Sequence, residues 1–169
     1  MKGKQSDVKL LGSFNCQGIL TSEIKRTLLA DDFEKKNLAI LAIQETHLRD
    51  HGVLDLLSTS DKRYKLYFSG SKAASTCGVG FLVDATRNIE FDPISDRICK
   101  LTTKINDSDI LEMICAYAPT LEKSEAKPEI RDNFYIELDA VVQKSKSRNA
   151  LIIAGDFNAK TGSAFQDKS

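Results

Sequence analysis

The sequence predicts a layered α/β domain built on a mixed sheet, and three observations carry that prediction. Two short runs, Leu38 to Ile43 (LAILAI) and Ala150 to Gly155 (ALIIAG), are apolar throughout, as strands covered on both faces are. Stretches of helical period precede both. The middle of the chain is a succession of strand-length runs separated by Gly, Asp, Asn and Ser.

In chain order, Val8 to Asn15 reads as a strand that ends at the loop Asn15-Cys16-Gln17-Gly18. Thr21 is the expected helix N-cap, with Glu23 in the first turn. Leu20, Ile24 and Leu28 repeat every four residues, with Leu29 and Phe33 beside them, and predict one apolar helical face. Leu38 to Ile43 follows as a buried strand, so the first part is strand, helix, strand with parallel pairing. Tyr64 to Ser69, Val79 to Asp84, Arg97 to Ile105 and Ile110 to Tyr117 are the next strands, and Asn106 to Asp109 (NDSD) is the clearest hairpin turn. Cys99, Leu101 and Ile105 alternate with Lys100, Thr102 and Lys104, the pattern of a strand with one face on a core and one in solvent. Leu121 to Lys127 is a charged connector. A second helix should begin near Pro128, a first-turn residue, with Ile130, Phe134, Leu138, Val141 and Val142 as its stripe.

A chain of 169 residues, 41% hydrophobic and 28% charged, fits one ordinary globular domain with a real core. Its formal net charge of zero gives no electrostatic argument for nucleic acid, and Lys62-Arg63 and Lys144 to Arg148 read as solvated surface. Cys16, Cys77, Cys99 and Cys115 form no Cys-x-x-Cys pair, and His47 and His51 are not placed with them at zinc-ligand spacing. Met1 to Leu10 has no apolar core of a leader, and no stretch approaches membrane-spanning length. The default expectation is an intracellular protein with reduced thiols, no membrane partner, and Cys16, Cys99 and Cys115 as small core residues.

Three buried-looking strands end on polar side chains: Asn15, Gln44-Glu45, and Asp156 with Asn158. Each alone could serve a turn or the surface. Together they point to a site, because ligands of α/β sheets bind beyond strand ends, where loops carry polar groups and the sheet holds them rigidly.

The motifs SFNCQG, LAIQETH, GVGFLV, AYAPT and GDFNAKTG, in this order, resemble the endonuclease/exonuclease/phosphatase superfamily, the fold of apurinic endonucleases and DNase I-like enzymes. GVGFLV, DNFYIELD and GDFNAKTG are similar to the endonuclease domain of non-LTR retrotransposons, above all the RTE type and craniofacial development protein 2-like sequences. The resemblance runs from about Val8 to Gly162. It implies a DNase I-like layered α/β sandwich with flanking helices, and a Mg²⁺-dependent phosphodiester hydrolase that nicks DNA. Glu45 would bind Mg²⁺ (Mn²⁺ as a substitute) with Asn15 nearby, and Asp156 would orient and deprotonate the attacking water. Asn158 would help to hold the constellation, and Tyr117 would hydrogen-bond the phosphate. A catalytic part for His47 is not expected. A nuclear location and a reverse-transcriptase region in a longer polyprotein are further implications.

The late Ser-Asp-His motif of that family has no counterpart among residues 1–169. The chain is therefore expected to be a single partial domain, the N-terminal portion of the fold, with impaired turnover. On this view it supplies one sheet layer, with at most the first strand of the next, and leaves an apolar sheet face uncovered. The alternatives are a non-catalytic relic or interaction module, and a phosphodiesterase of the same fold acting on RNA or phospholipid head groups.

Overall fold

A computed structural model describes residues 10–18, 22–73, 76–120 and 127–159. The elements run β1 (Leu10–Asn15), α1 (Glu23–Lys35), β2 (Leu38–Gln44), β3 (His51–Leu57), β4 (Arg63–Ser69), β5 (Val79–Asp84), β6 (Glu90–Pro93), β7 (Ile98–Lys104), β8 (Ile110–Tyr117), α2 (Pro128–Gln143) and β9 (Ala150–Asp156).

The strands form two sheets, five in the order β1-β2-β5-β4-β3 and four in the order β6-β7-β8-β9. Both are mixed: β1 runs parallel to β2 and β9 parallel to β8, while every other pair is antiparallel. Alternating side chains divide each strand between two faces. Ile40 and Ala42 of β2, with Val79, Phe81 and Val83 of β5, meet Cys99, Leu101, Leu111, Met113 and Cys115 of the second sheet in a shared inner core. The intervening Leu41 and Ile43 pack under α1 with Phe33. Ile98, Ile114 and Ala116 pack under α2 with Phe134 and Leu138. LAILAI is apolar at every position because one face meets the other sheet and the other meets a helix.

The expectation of one sheet layer with a bare apolar face is thereby corrected. Among the described residues the strands form two facing sheets rather than one, and β3 and β6, which the sequence did not announce, stand at their outer edges. The short edge strand β6 (EFDP) is largely polar, and β3 (HGVLDLL) alternates exposed and partly buried positions. At such an edge a strand is set by pairing with its neighbour rather than by burial.

The face of α1 also differs. Leu29, Ala30 and Phe33 are buried, whereas Ile24 and Leu28 are 74% and 58% exposed. The four-residue repeat selected a stripe about one position out of phase with the sheet. Ser22 occupies the N-cap position, and Val8, Thr21, Leu20 and Leu121 to Ala126 lie outside the described residues. In α2, Phe134, Leu138 and Val141 are buried as expected, with Pro128 in the first turn, but Ile130 is 36% exposed. The hairpin at 106–109 forms as read, with the Asn106 side-chain oxygen accepting from the backbone N–H of Ser108 and Asp109. Ile105, just past β7, is exposed. All four cysteines are buried thiols.

Candidate active site

Parallel pairing decides where the polar strand ends meet. Asn15 lies beside Gln44 across β1 and β2, and Tyr117 lies beside Asp156 across β8 and β9. The two sheets therefore present these ends at one rim. Gly155 permits the last approach, since a Cβ there would fall 1.8 Å from the carbonyl oxygen of Ala116.

The Asn15 side-chain amide donates from Nδ2 to Glu45 Oε1 at 2.8 Å and to Asp156 Oδ2 at 3.1 Å. Its Oδ1 accepts from the backbone N–H of Gln17. As placed, Asn15 bridges the two carboxylates through nitrogen, and ligation of a cation by Oδ1 would require the amide to turn over. Tyr117 donates its hydroxyl to the same Glu45 Oε1 at 2.9 Å. Asp156 Oδ1 accepts from the backbone N–H of Asn158, whose side chain donates to the Ala118 carbonyl at 2.7 Å. All five residues expected at the site thus stand in one hydrogen-bonded constellation, joined across up to 141 positions of sequence. Beside it opens a cleft of about 480 Å³, lined among others by Ser13, Asn15, Asp156 and Asn158.

Burial, reinforced by the adjoining Glu45 carboxylate, pushes the Tyr117 hydroxyl up to about 12. It stays protonated at neutral pH and remains a hydrogen-bond donor. Among the described residues, no group of three or more His, Cys, Asp and Glu side chains is arranged to hold a metal ion. The donor set still fits Mg²⁺, which characteristically takes one or two carboxylates and keeps several waters. Glu45 engages Oε1 with Asn15 and Tyr117, while Oε2 stands 3.7 Å from His47 Nε2 on a side chain that is 22% exposed.

Two residues support the site: Gln44, which the sequence marked only as a polar strand end, and Arg97, which it did not mark. Gln44 is 1% exposed; its amide donates to the Cys115 thiol across the sheets and accepts from Ser13, tying β1, β2 and β8 together below the site. Arg97, just before β7, donates to the Tyr117 carbonyl at 3.1 Å and to the Cys77 sulfur at 3.2 Å, with its guanidinium carbon 5.2 Å from the Tyr117 ring centroid. Gln44 carries a faint signal, an amide closing an all-apolar strand. Arg97 carries none.

Backbone strain concentrates here too. Among the described non-glycine residues, Gln17, Glu45, His47 and Asn158 have φ of 47°, 55°, 55° and 47°, a left-handed conformation that costs about 1–2 kcal/mol per residue and persists where surroundings over-determine it.

A family model for the endonuclease/exonuclease/phosphatase family matches residues 12–165. Among solved structures, a truncated TDP2 from Caenorhabditis elegans is similar at 15% identity and a TM-score of 0.53, over 88% of this chain and 62% of that one. A humanized TDP2 from D. rerio is similar at 11% identity and a TM-score of 0.56, over 88% and 66%. The AP endonuclease LMAP from Leishmania major is similar at 13% identity and a TM-score of 0.54, over 85% and 53%. At these identities the likeness is one of fold, and the chain spans about six tenths of the first of these structures. No curated protein sequence matches the chain.

Proposed function

The chain belongs to the endonuclease/exonuclease/phosphatase family, and from that premise we propose that it is a Mg²⁺-dependent phosphodiester hydrolase domain of retroelement endonuclease type that nicks DNA. One observation carries the proposal. Asn15, from β1, holds the carboxylates of Glu45 and Asp156 within hydrogen-bond reach of one amide, although they come from different sheets.

The cation, held by Glu45 and its own waters, would supply charge neutralisation at the scissile phosphate. Asp156 takes the proton of an attacking water, which needs a carboxylate within hydrogen-bond reach and an orienting partner; the Asn158 N–H and Asn15 fix its two oxygens. Tyr117 holds Glu45 through its protonated hydroxyl and turns that single donor to a phosphate oxygen when substrate is bound, since preorganised donors act where charge develops in the transition state. The motif wording, LAIQETH and GVGFLV above all, supports the retroelement reading, and with it DNA, a nuclear setting and a neighbouring reverse-transcriptase region. Residues 1–169 carry no Ser-Asp-His. Each preorganised group in the constellation is worth roughly a hundredfold to a thousandfold in rate. That no group of three or more His, Cys, Asp and Glu among the described residues is arranged to hold a metal ion favours the second reading, a non-catalytic module of the same fold.

Supercoiled plasmid incubated with Mg²⁺ separates the two. Nicking by the wild type, reduced about a hundredfold or more by Glu45→Ala and by Asp156→Ala, is the expected result. Equal nicking by all three, or none by the wild type, rejects hydrolysis by this chain. Competition by RNA or phosphoinositide at DNA-like concentrations would move the substrate away from DNA.

A further inference from the structure

We infer that His47 is a second protein ligand of the cation assigned to Glu45, giving the centre one imidazole nitrogen beside one carboxylate oxygen. This rests on the reading of Glu45 as the metal-binding carboxylate.

The geometry begins with Glu45 itself. Its Oε1 accepts from Asn15 and Tyr117, which leaves Oε2 as the atom available to a cation, and Oε2 faces His47 Nε2 at 3.7 Å. Two ligand atoms each about 2.1 Å from one ion stand about 3.0 Å apart at a right angle and about 4.2 Å apart in trans. A separation of 3.7 Å lies inside that span. The imidazole is 31% exposed, so a hydrated ion can reach it.

The placement of His47 is enforced. Thr46, between the two ligands, is fully buried. The backbone N–H of Thr46 donates to Gly78 O and that of His47 to Cys77 O, while Gly18 donates to Glu45 O at 2.7 Å. Glu45 and His47 both take left-handed φ, and the imidazole lies against Gly18, where a Cβ would sit 2.4 Å from Nδ1. These contacts hold His47 beside a carboxylate whose second oxygen has no other ion-pair partner among the described residues. Carboxylate and water suit Mg²⁺ and Mn²⁺ alike, whereas imidazole suits the later transition ions, so the pair admits the Mg²⁺ of the proposed reaction and Mn²⁺ reports the added nitrogen.

The chain has only two histidines, so a coordinated imidazole can be assigned by mutation. Mn²⁺ is added to the full chain and to Glu45→Gln, His47→Gln and His51→Gln. Bound metal is counted by electron paramagnetic resonance, and nitrogen ligation is read as ¹⁴N modulation of the spin echo. His51 pairs with Asp50 on the surface and serves as the control. Expected are ¹⁴N modulation in the wild type and in His51→Gln, its loss in His47→Gln, and Mn²⁺ affinity about tenfold weaker in His47→Gln. Mn²⁺ bound and weakened by Glu45→Gln, but without ¹⁴N modulation or with modulation surviving in His47→Gln, overturns this inference alone. No Mn²⁺ bound by the wild type overturns it together with the metal-binding reading of Glu45.

Discussion

Asn15 shows how much one side chain decides at this site. Its amide nitrogen is the donor that, among the described residues, reaches both carboxylates, so Asn15→Asp would place a third negative charge about one hydrogen bond from each. Asn15→Ala should cost about 1–3 kcal/mol from the unpaired acceptors. Asn15→Asp should cost more at neutral pH, and Mg²⁺ should raise its Tm further than that of the wild type. Thermal melts of the three proteins with and without Mg²⁺ test this; equal Mg²⁺ shifts would reject it. Gly18 is a second such point: its φ of 75° and its contact with His47 predict that Gly18→Ala loses about 1–2 kcal/mol and disturbs the imidazole. Asn15, Glu45, Asp156 and Asn158 could be read from the sequence because each stands at the end of an apolar strand, and Tyr117 entered through the family resemblance. The position of Gln44 was legible in the same way, but its role and that of Arg97 were not, because they exist only through contacts with Cys115 and Tyr117, 71 and 20 positions away.

At the level of elements, period alone located α1 but misassigned its face, since a short helix offers two overlapping apolar stripes and only the opposing sheet selects one. Phe33, 2% exposed and packed edge-on against Tyr64 at 5.1 Å, should cost about 3–5 kcal/mol as Phe33→Ala. Ile24→Ser and Leu28→Ser should stay within about 0.5 kcal/mol of wild type. Denaturant midpoints decide, and a large loss at Ile24 would restore the stripe the sequence suggested. The same helix anchors the loop between β3 and β4 through Glu34. Hydrogen bonds from Lys62, Ser60 and Ser58 hold its carboxyl down to about 2 from 4.5. A carboxyl lowered on folding stabilises fully above its unfolded value and loses that contribution as pH falls through the folded one. Glu34→Gln should therefore melt below wild type at neutral pH, and the gap should close between about pH 4.5 and pH 2. A gap that widens on acidification would refute the assignment. β3, joined to the domain largely through β4 and this loop, had no burial pattern to betray it.

For the molecule as a whole, what the sequence left open was where apolar surface remains once the sandwich closes. Two sheets cover each other and a helix packs on the back of each, so apolar strand surface stays exposed at sheet edges, besides the outward helix positions Ile24, Leu28 and Ile136. β1 and β9 are edge strands on the side where Asn15 meets Asp156. Leu10, Leu11 and Phe14 of β1 are 54%, 42% and 43% exposed, and Ile152 and Ile153 of β9 are 36% and 40%. An apolar edge with unpaired backbone groups is a template for strand addition, which proteins blunt with lysine. Neither β1 nor β9 contains one. Concentrated solutions of this chain should therefore associate through these edges, by the same geometry that keeps the site at an open rim. Leu11→Lys with Ile153→Lys should reduce light scattering on concentration while leaving Tm within a few degrees, because both side chains already reach solvent. If scattering is unchanged and Tm falls steeply, those positions belong to the closed core, and the open-edged sandwich described for this chain is wrong on that side.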